Sequence, residues 1–300
     1  MKEIKLNLKP DYEGCVEATL LHSKSTTIAV GAVLYVHGYI DYFFQNHVAE
    51  FFNSHGYDFY ALDLRKYGRS YLPNQHFNYC RDLSEYFEEI TRSINIITDN
   101  NALLNLTLLA HSTGGLIAAL YASRGEARSR IKMLILNSPF FELNSTWIKR
   151  NVFVPIAACI STICPYAKKK NELSLHYFDS IHKSRKGQWD FNTDYKPRDG
   201  VPLYFAWLKA IKKGQNELKR GLNITIPVVV LTSDKSSNPQ KWDEIATQSD
   251  TVLNVKAIEK NAAKLGTNII YHQIPNALHD VFLSRKAVRD EALAYCLEKM

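Results

Sequence analysis

A serine that could act as a nucleophile stands in the sequence AHSTG, residues 110–114, between a strand-like apolar run and a helix-like run of small residues. In such a strand–turn–helix segment, a tight turn holds the hydroxyl out above the sheet, which requires small residues two positions before and after it. Ala110 and Gly114 are small. The following helix N-terminus would offer N–H groups to a negatively charged oxygen. Ser112 is therefore the candidate nucleophile.

A second turn, HGY at residues 37–39, follows the first buried strand-like run. Gly38 allows the chain to turn closely at this point. We expect the backbone N–H groups of Tyr39 and Thr113 to form an oxyanion hole, a pair of donors for the oxyanion that forms when a serine attacks an acyl carbonyl.

A serine nucleophile needs a base within hydrogen-bond reach, and ten histidines compete for this role. His279 lies in a loop (PNALHD) between the last predicted strand and the last helix, at the sheet edge where functional sites collect. His272 lies within that strand, and His111 precedes the serine and should point away from it. His55 and His76 are expected in loops without a partner. We therefore predict His279 as the base.

An acid must orient this histidine, and the expected chain order is serine, acid, histidine. Asp234 directly follows a predicted strand, whereas Asp250 follows an extra segment and precedes a helix. The stretch from Asp250 to His279 has the length that one loop, helix, strand and loop require. The stretch from Asp234 must hold the extra segment as well. This spacing favours Asp250 and leaves Asp234 as the alternative.

The elements that would position these residues follow from the hydrophobic pattern. Apolar strand-like runs alternate with segments of helical spacing, which is typical of parallel βαβ units. The predicted strands are residues 31–37, 57–62, 104–110, 131–136, 226–231 and 268–274. The predicted helices are residues 43–54, 80–97, 114–123, 202–220, 255–265 and 285–297.

The alternation stops at Pro139, and the chain is then aromatic, basic and mainly helical in pattern to about Thr225. We therefore predict one α/β core domain, residues 1–138 and 226–300, with an inserted helical cap, residues 139–225, over one end of its sheet. The 300 residues, 46% of them hydrophobic, can bury such a core and exclude a disordered or low-complexity chain.

The cysteines and the first ten residues indicate which cofactors and which cellular compartment to expect. The five cysteines are odd in number and have no metal-type spacing, so we expect neither disulfides nor a metal site, and no pattern calls for an organic cofactor. The start, MKEIKLNLKP, has no apolar signal-peptide region, so we expect a cytoplasmic location. The apolar stretch of residues 152–164 is too short to span ~30 Å of hydrocarbon.

The net charge of +7 comes from the predicted cap, which contains 15 Lys and Arg residues but only 7 Asp and Glu residues. The rest of the chain carries a net charge of −1. No zinc-finger ligands or aromatic RNA-binding run accompany this charge, so we expect no nucleic-acid partner. The basic segment is either a solvated face or a surface that meets anionic lipid or an anionic substrate.

Five segments together resemble the α/β-hydrolase superfamily, and most closely its monoacylglycerol lipase, lysophospholipase and serine-aminopeptidase-like branch. They are HGYIDYF, ALDLRKYGRS, AHSTGG, SDTVLNV and ALHDVFLS. The resemblance spans about residues 29–297. Ala110 and Lys66 stand where glycine is usual, departures that affect packing more than chemistry.

The resemblance implies an α/β-hydrolase fold, a mostly parallel sheet flanked by helices, with an inserted cap. It implies a serine hydrolase that cleaves a small-molecule ester of an apolar acyl group, with Ser112, His279 and Asp250 as a triad. The SDTVLNV match strengthens Asp250 over Asp234. A peptidase or thioesterase of the same fold and a non-catalytic ligand-binding protein are the alternatives. A missing triad member would favour the last, and none is missing.

Overall fold

The computed structural model describes residues 1–99, 104–170 and 175–300. Its centre is an eight-stranded sheet in the order β1-β2-β4-β3-β5-β6-β9-β10. Six neighbouring strands of this sheet run parallel to one another: β4, β3, β5, β6, β9 and β10. Strand β2 is antiparallel to β4, and β1 is antiparallel to β2. The bounds are β1 Lys2–Asn7, β2 Glu17–Ser23, β3 Gly31–Val36, β4 Tyr57–Asp63, β5 Asn105–His111, β6 Ile131–Asn137, β7 Lys168–Lys169, β8 Leu203–Tyr204, β9 Val228–Ser233 and β10 Ile269–Ile274. The short β7 and β8 form a separate pair.

The six predicted strands are confirmed as β3, β4, β5, β6, β9 and β10. Every residue of β3 and β9 is buried, because helices cover both faces of a parallel sheet and the strand must be apolar throughout. Sequence patterns did not identify β1 and β2. The outer strand β1 is exposed along most of its length and so carries little of the apolar signal.

Six of the helices in the described ranges bury side chains in two cores, one on each face of the sheet. The helix bounds are α1 Asn46–Ser54, α2 Phe87–Thr98, α3 Thr113–Arg124, α4 Val154–Ile163, α5 Leu175–Ile181, α6 Phe205–Arg220, α7 Val255–Ala262 and α8 Lys286–Lys299. Helices α1 and α8 bury side chains such as Phe52 and Leu293 in one core. Helices α2, α3, α6 and α7 bury theirs, such as Ile90 and Leu116, in the other. The mostly parallel α/β fold with flanking helices is as predicted.

The chain leaves the sheet after β6 and returns as β9, which pairs with β6. Helices α4, α5 and α6 lie in this excursion, where the cap was predicted. Helix α6 also buries Ile211 and Leu218 in the same cluster as Leu106 of β5, so part of the excursion covers the sheet. The boundaries of the cap at residues 139 and 225 stay a prediction. No helix in the described ranges combines the length and hydropathy needed to cross a membrane.

Lys66, which stands where the resemblance leads one to expect glycine, adopts φ 65° and is completely buried. Its ammonium lies 2.7 Å from a carboxylate oxygen of Asp11 and 2.6 Å from one of Glu13. A left-handed backbone costs a non-glycine residue free energy. Here the side chain ties the turn after β4 to the loop between β1 and β2, a packing role consistent with the prediction.

Candidate active site

Ser112 lies on a sharp turn between β5 and α3, near the middle of the sheet, with φ 51° and ψ −116°. Its N–H donates to the Asn137 carbonyl at 3.0 Å. A Cβ on Gly114 would lie 2.2 Å from the His37 carbonyl oxygen. This strand–turn–helix segment, residues 110–114, is called the elbow below, and it needs glycine at position 114 because the chain at the end of β3 packs against it. The strained turn directs the serine to the carboxyl edge of the sheet.

Ser112, His279 and Asp250 form a continuous hydrogen-bonded chain. The His279 Nε2 lies 3.0 Å from Ser112 Oγ, and its Nδ1 lies 2.8 Å from Asp250 Oδ2. The other carboxylate oxygen, Oδ1, accepts the N–H groups of Val252 at 2.8 Å and Leu253 at 2.7 Å. An ionised carboxylate only accepts, so the imidazole must donate through Nδ1, which leaves Nε2 free to accept the serine proton.

Asp250 reaches the end of β9 because the extra segment before it closes into a loop. The Asp250 N–H donates to the Lys235 carbonyl at 3.0 Å, and the Ser237 N–H donates to the Asp250 carbonyl at 3.0 Å. These bonds return the chain to the place where β9 ends. The Asp250 side chain is fully buried there, next to the nearly buried His279.

Asp234 has a different set of contacts. Its Oδ1 accepts the backbone N–H of Asn276 at 2.8 Å, and its side chain is about one-third exposed. Asn276 has φ 59° and lies in the turn that leads to His279. The structure thus brings Asp250 to the histidine and leaves Asp234 to hold the turn before it.

The two turns predicted to form the oxyanion hole lie side by side. A Cβ on Gly38 would approach the Ser112 Cβ to 3.1 Å, so the HGY turn abuts the elbow. Thr113 is the first residue of α3, where an N–H has no acceptor within its own helix. On the other turn, Ile40, next to Tyr39, is held by its N–H bond to Asn78 Oδ1 at 2.9 Å.

The remaining candidate histidines have other partners. His272 stacks on Tyr295 with ring centroids 3.7 Å apart. The expectation that His55 and His76 lack partners was wrong. The His55 Nδ1 lies 2.7 Å from the carbonyl oxygen of Phe51, one helical turn earlier at the end of α1. The His76 ring pairs with a Glu13 carboxylate, a contact that only the tertiary structure reveals.

His111 is buried beneath the site. Its ring centroid lies 4.9 Å from that of His279, and its Nδ1 is 3.1 Å from the Asn137 carbonyl oxygen. Burial lowers the pKa of His111 to about 4, against the opposing effect of Asp280, so this imidazole is neutral at physiological pH. It is a packing neighbour of the candidate base.

Asp280 anchors the histidine loop, a role that the sequence reasoning missed. Its Oδ1 accepts Asn137 Nδ2 at 2.7 Å, and its Oδ2 accepts Gln45 Nε2 at 3.0 Å. The Asn137 Oδ1 in turn accepts the Val281 N–H at 3.1 Å. Two features of the sequence could have indicated this role: an aspartate directly after His279 and an asparagine at the end of β6.

The chain matches a known protein family over most of its length. Residues 27–285 match the family model described as serine aminopeptidase, S33. A monoacylglycerol lipase of Mycolicibacterium smegmatis is 28% identical over 209 residues, which cover 68% of this chain and 70% of that protein.

Solved structures that share the fold include two monoacylglycerol lipases and a carboxyl esterase. A soluble variant of monoglyceride lipase from Saccharomyces cerevisiae, in complex with a substrate analog, has a TM-score of 0.76 at 17% identity, over 98% of this chain and 93% of that one. A monoacylglycerol lipase of Paleococcus ferrophilus has a TM-score of 0.70 at 18% identity, over 93% and 97%. A thermostable carboxyl esterase of Bacillus coagulans, in complex with glycerol, has a TM-score of 0.67 at 15% identity, over 100% and 98%.

Proposed function

The chain belongs to the serine aminopeptidase S33 family of α/β-hydrolases, and from that premise we propose that it is a serine esterase of the monoacylglycerol lipase type. Its substrate would be a small-molecule carboxylic ester of an apolar acyl group. The observation that carries this proposal is the bonded chain from Ser112 Oγ through His279 to Asp250, at 3.0 and 2.8 Å.

In the first step, Ser112 Oγ attacks the acyl carbonyl carbon while its proton passes to His279 Nε2. Asp250 holds the imidazole in the required tautomer and stabilises the imidazolium that forms. The imidazolium then gives its proton to the leaving alcohol as the ester C–O bond breaks, which leaves an acyl-enzyme. In the second step, water gives a proton to the imidazole as its oxygen attacks the acyl carbon. The bond between that carbon and Ser112 Oγ then breaks, the imidazolium returns the proton to the serine, and the carboxylic acid is released.

The N–H groups of Tyr39 and Thr113 are proposed to bind the oxyanion in both steps. Two features support this role: the contact between the HGY turn and the elbow, and the position of Thr113 at the start of α3. Donors held in place by the fold stabilise the developing charge without reorganising, which accounts for their value in catalysis.

Aromatic side chains from the excursion support an apolar acyl group. The Trp207 ring of α6 stacks on Tyr39 with centroids 4.0 Å apart, and the Tyr177 ring of α5 meets the His279 ring edge-on at 5.4 Å. Such surfaces favour an alkyl chain over a charged group.

Aminopeptidase activity is the nearest alternative, since the family carries that description. An aminopeptidase needs a carboxylate for the substrate ammonium. Two buried aspartates near the triad are already engaged: Asp41 binds Lys196, and Asp280 binds Asn137 and Gln45. This observation favours the ester.

A panel of substrates tests the proposal, with Ser112→Ala as the blank. A medium-chain monoacylglycerol and a nitrophenyl ester should be hydrolysed at rates far above the blank. An aminoacyl nitroanilide and an acyl thioester should be slower by kcat/KM. Faster cleavage of the anilide or thioester would replace esterase by peptidase or thioesterase, and equal rates in wild type and blank would favour the non-catalytic alternative.

A second proposal concerns peripheral contact with anionic lipid. Six large apolar side chains are exposed on the segment that ends with α4, and four of them repeat at every fourth position, which places them along one helix face. This apolar stripe consists of Trp147, Ile148, Val152, Ile156, Ile160 and Ile163. A contiguous exposed apolar face within a basic segment is typical of contact with a lipid surface.

Vesicle flotation tests the stripe. Ile156→Asn/Ile163→Asn should reduce the bound fraction, because polar side chains lose the free energy of entering the acyl region. Ile28→Asn/Val30→Asn is the matched control, since both residues are exposed but lie before β3, far along the chain from the stripe. Equal binding of the two variants would contradict the lipid contact.

A further inference from the structure

The central sheet ends on one side at β10, whose neighbour in the sheet is β9. The Val228 N–H donates to the Asn268 carbonyl at 2.9 Å, and Val228 lies opposite Ile269 in this parallel register. In a parallel ladder, every second residue of a strand turns its N–H and C=O groups to the neighbouring strand. The N–H and C=O groups of Ile269, Tyr271 and Gln273 therefore point away from β9.

These three N–H and three C=O groups have no hydrogen-bond partner within the described ranges. The strand is also accessible from outside, since Gln273 is exposed and the Ile270 side chain between them is 39% exposed. A row of unpaired backbone groups on a sheet edge is a template for one more extended strand.

The two edges of the sheet differ in charge. Strand β1, at the opposite edge, carries Lys2, Glu3 and Lys5, and charges on an edge strand oppose pairing with another chain. Strand β10 has the sequence IIYHQI, which contains no Asp, Glu, Lys, Arg or Pro. The edge at β10 therefore lacks the features that prevent association and is the one suited to a partner strand.

The free groups of β10 are complementary to those of a second copy. In an antiparallel pair with Tyr271 on a two-fold axis, Tyr271 lies opposite its own copy and Ile269 lies opposite Gln273. Each of the three residue pairs then exchanges two N–H···O=C bonds, which satisfies every free group on both strands. This pairing gives a closed dimer, because both copies use the same edge.

The charges beside β10 also favour a second copy. Lys256, Glu259 and Lys260 of α7 are exposed and belong to no ion pair within the described ranges. Burial raises the pKa of Tyr271, and Glu259 raises it further, so α7 flanks the strand near the two-fold axis. Rotation about that axis places α7 beside its copy, where the glutamate of one chain faces a helix with two lysines.

We propose that this chain forms a homodimer in which the β10 strands of two copies pair antiparallel and join their sheets into one continuous sheet. The interface uses none of the residues assigned to the triad or to the oxyanion hole. The inference therefore goes beyond the proposed ester hydrolysis and does not depend on it.

Sedimentation equilibrium of the full-length protein over a dilution series tests the dimer. Wild type should approach twice the chain mass as concentration rises. Ile270→Lys should raise the dimer Kd about tenfold, because it sets a charge on the edge strand opposite His272 of the other copy, twice in each dimer. Ile28→Lys is the matched control, since it makes the same substitution at an exposed isoleucine before β3 and should leave the Kd unchanged.

Hydrogen exchange checks the pairing residue by residue. The amides of Ile269, Tyr271 and Gln273 should exchange slowly at high protein concentration and rapidly after dilution, because their partners lie on the other copy. The amides of Ile270 and His272 point to β9 and should stay protected at both concentrations. Rapid exchange of the first three amides at every concentration would overturn the proposal.

The apolar stripe is a different surface through which two copies could associate. Ile156→Asn/Ile163→Asn should leave the dimer Kd unchanged. A dimer that this variant abolishes and Ile270→Lys preserves would assign the contact to the stripe, and a wild type that sediments as a monomer throughout would also overturn the proposal. Cooperative urea unfolding of each variant shows that a lost dimer is not a lost fold.

Discussion

Lys196 of the excursion between β6 and β9 forms a buried ion pair with Asp41, two residues after Tyr39. The Lys196 Nζ lies 2.7 Å from Asp41 Oδ1, and the two side chains are only 8% and 2% exposed. Burial alone would raise the pKa of Asp41, but Lys196, helped by His111 and His37, lowers it below its usual value. The pair thus ties the predicted cap to the turn that carries a proposed oxyanion donor.

Lys196→Met should lower the free energy of unfolding by about 3–5 kcal/mol, because it leaves a buried carboxylate without its counter-ion. It should also lower kcat, since the turn after Tyr39 loses an anchor. Urea unfolding and ester turnover measure both effects. Adding Asp41→Asn should restore part of the stability by removing the unpaired charge.

The matched control is Lys183→Met, whose partner Asp190 is mostly exposed, as Lys183 is. Its cost should stay within about 1 kcal/mol. Equal costs for the two lysine variants would mean that the Lys196 pair is no more than a surface contact.

The stability of the protein should depend on His111 between pH 7.5 and pH 5. Its pKa of about 4 in the folded state lies below the value of 6.5 in the unfolded chain, so the unfolded state binds the proton first as pH falls. The stabilising contribution is therefore complete above pH 6.5 and is lost as pH falls towards 4. At pH 5 this loss amounts to about 2 kcal/mol.

Urea unfolding of wild type and His111→Gln at both pH values measures this contribution. The variant should lose less stability on acidification, by about the same 2 kcal/mol. His55→Gln makes the same substitution at an exposed imidazole and is the matched control. An unchanged pH dependence in His111→Gln would show that other groups cause the acid sensitivity.

Asp250→Asn should reduce kcat by about 10⁴ while KM changes little, because an amide in this place favours the imidazole tautomer that cannot accept the serine proton. Asp234→Asn should keep nearly full turnover, since its carbonyl oxygen can still accept the Asn276 N–H. Steady-state kinetics on a nitrophenyl ester compare the two variants. Collapse of turnover in Asp234→Asn with activity in Asp250→Asn would reverse the roles.

The sheet and the turn around Ser112 could be predicted from local sequence patterns. Strands β3 and β9 are apolar throughout because both faces are covered, and that pattern is readable without knowing the neighbours. The turn around Ser112 is equally local, since its signal is a serine between a strand and a helix with small residues two positions before and two positions after it. These features were predicted because their causes lie within about ten residues of chain.

The partner of His279 and the partner of Asp41 were decided by tertiary structure. Spacing favoured Asp250, but only the closed loop between Lys235 and Asp250 brings its carboxylate to the histidine. Nothing in the sequence near Lys196 indicates Asp41, which lies more than 150 residues away. Buried polar pairs of this kind depend on where distant segments of the chain meet in space. The charge of one side chain therefore does not identify its partner in the sequence.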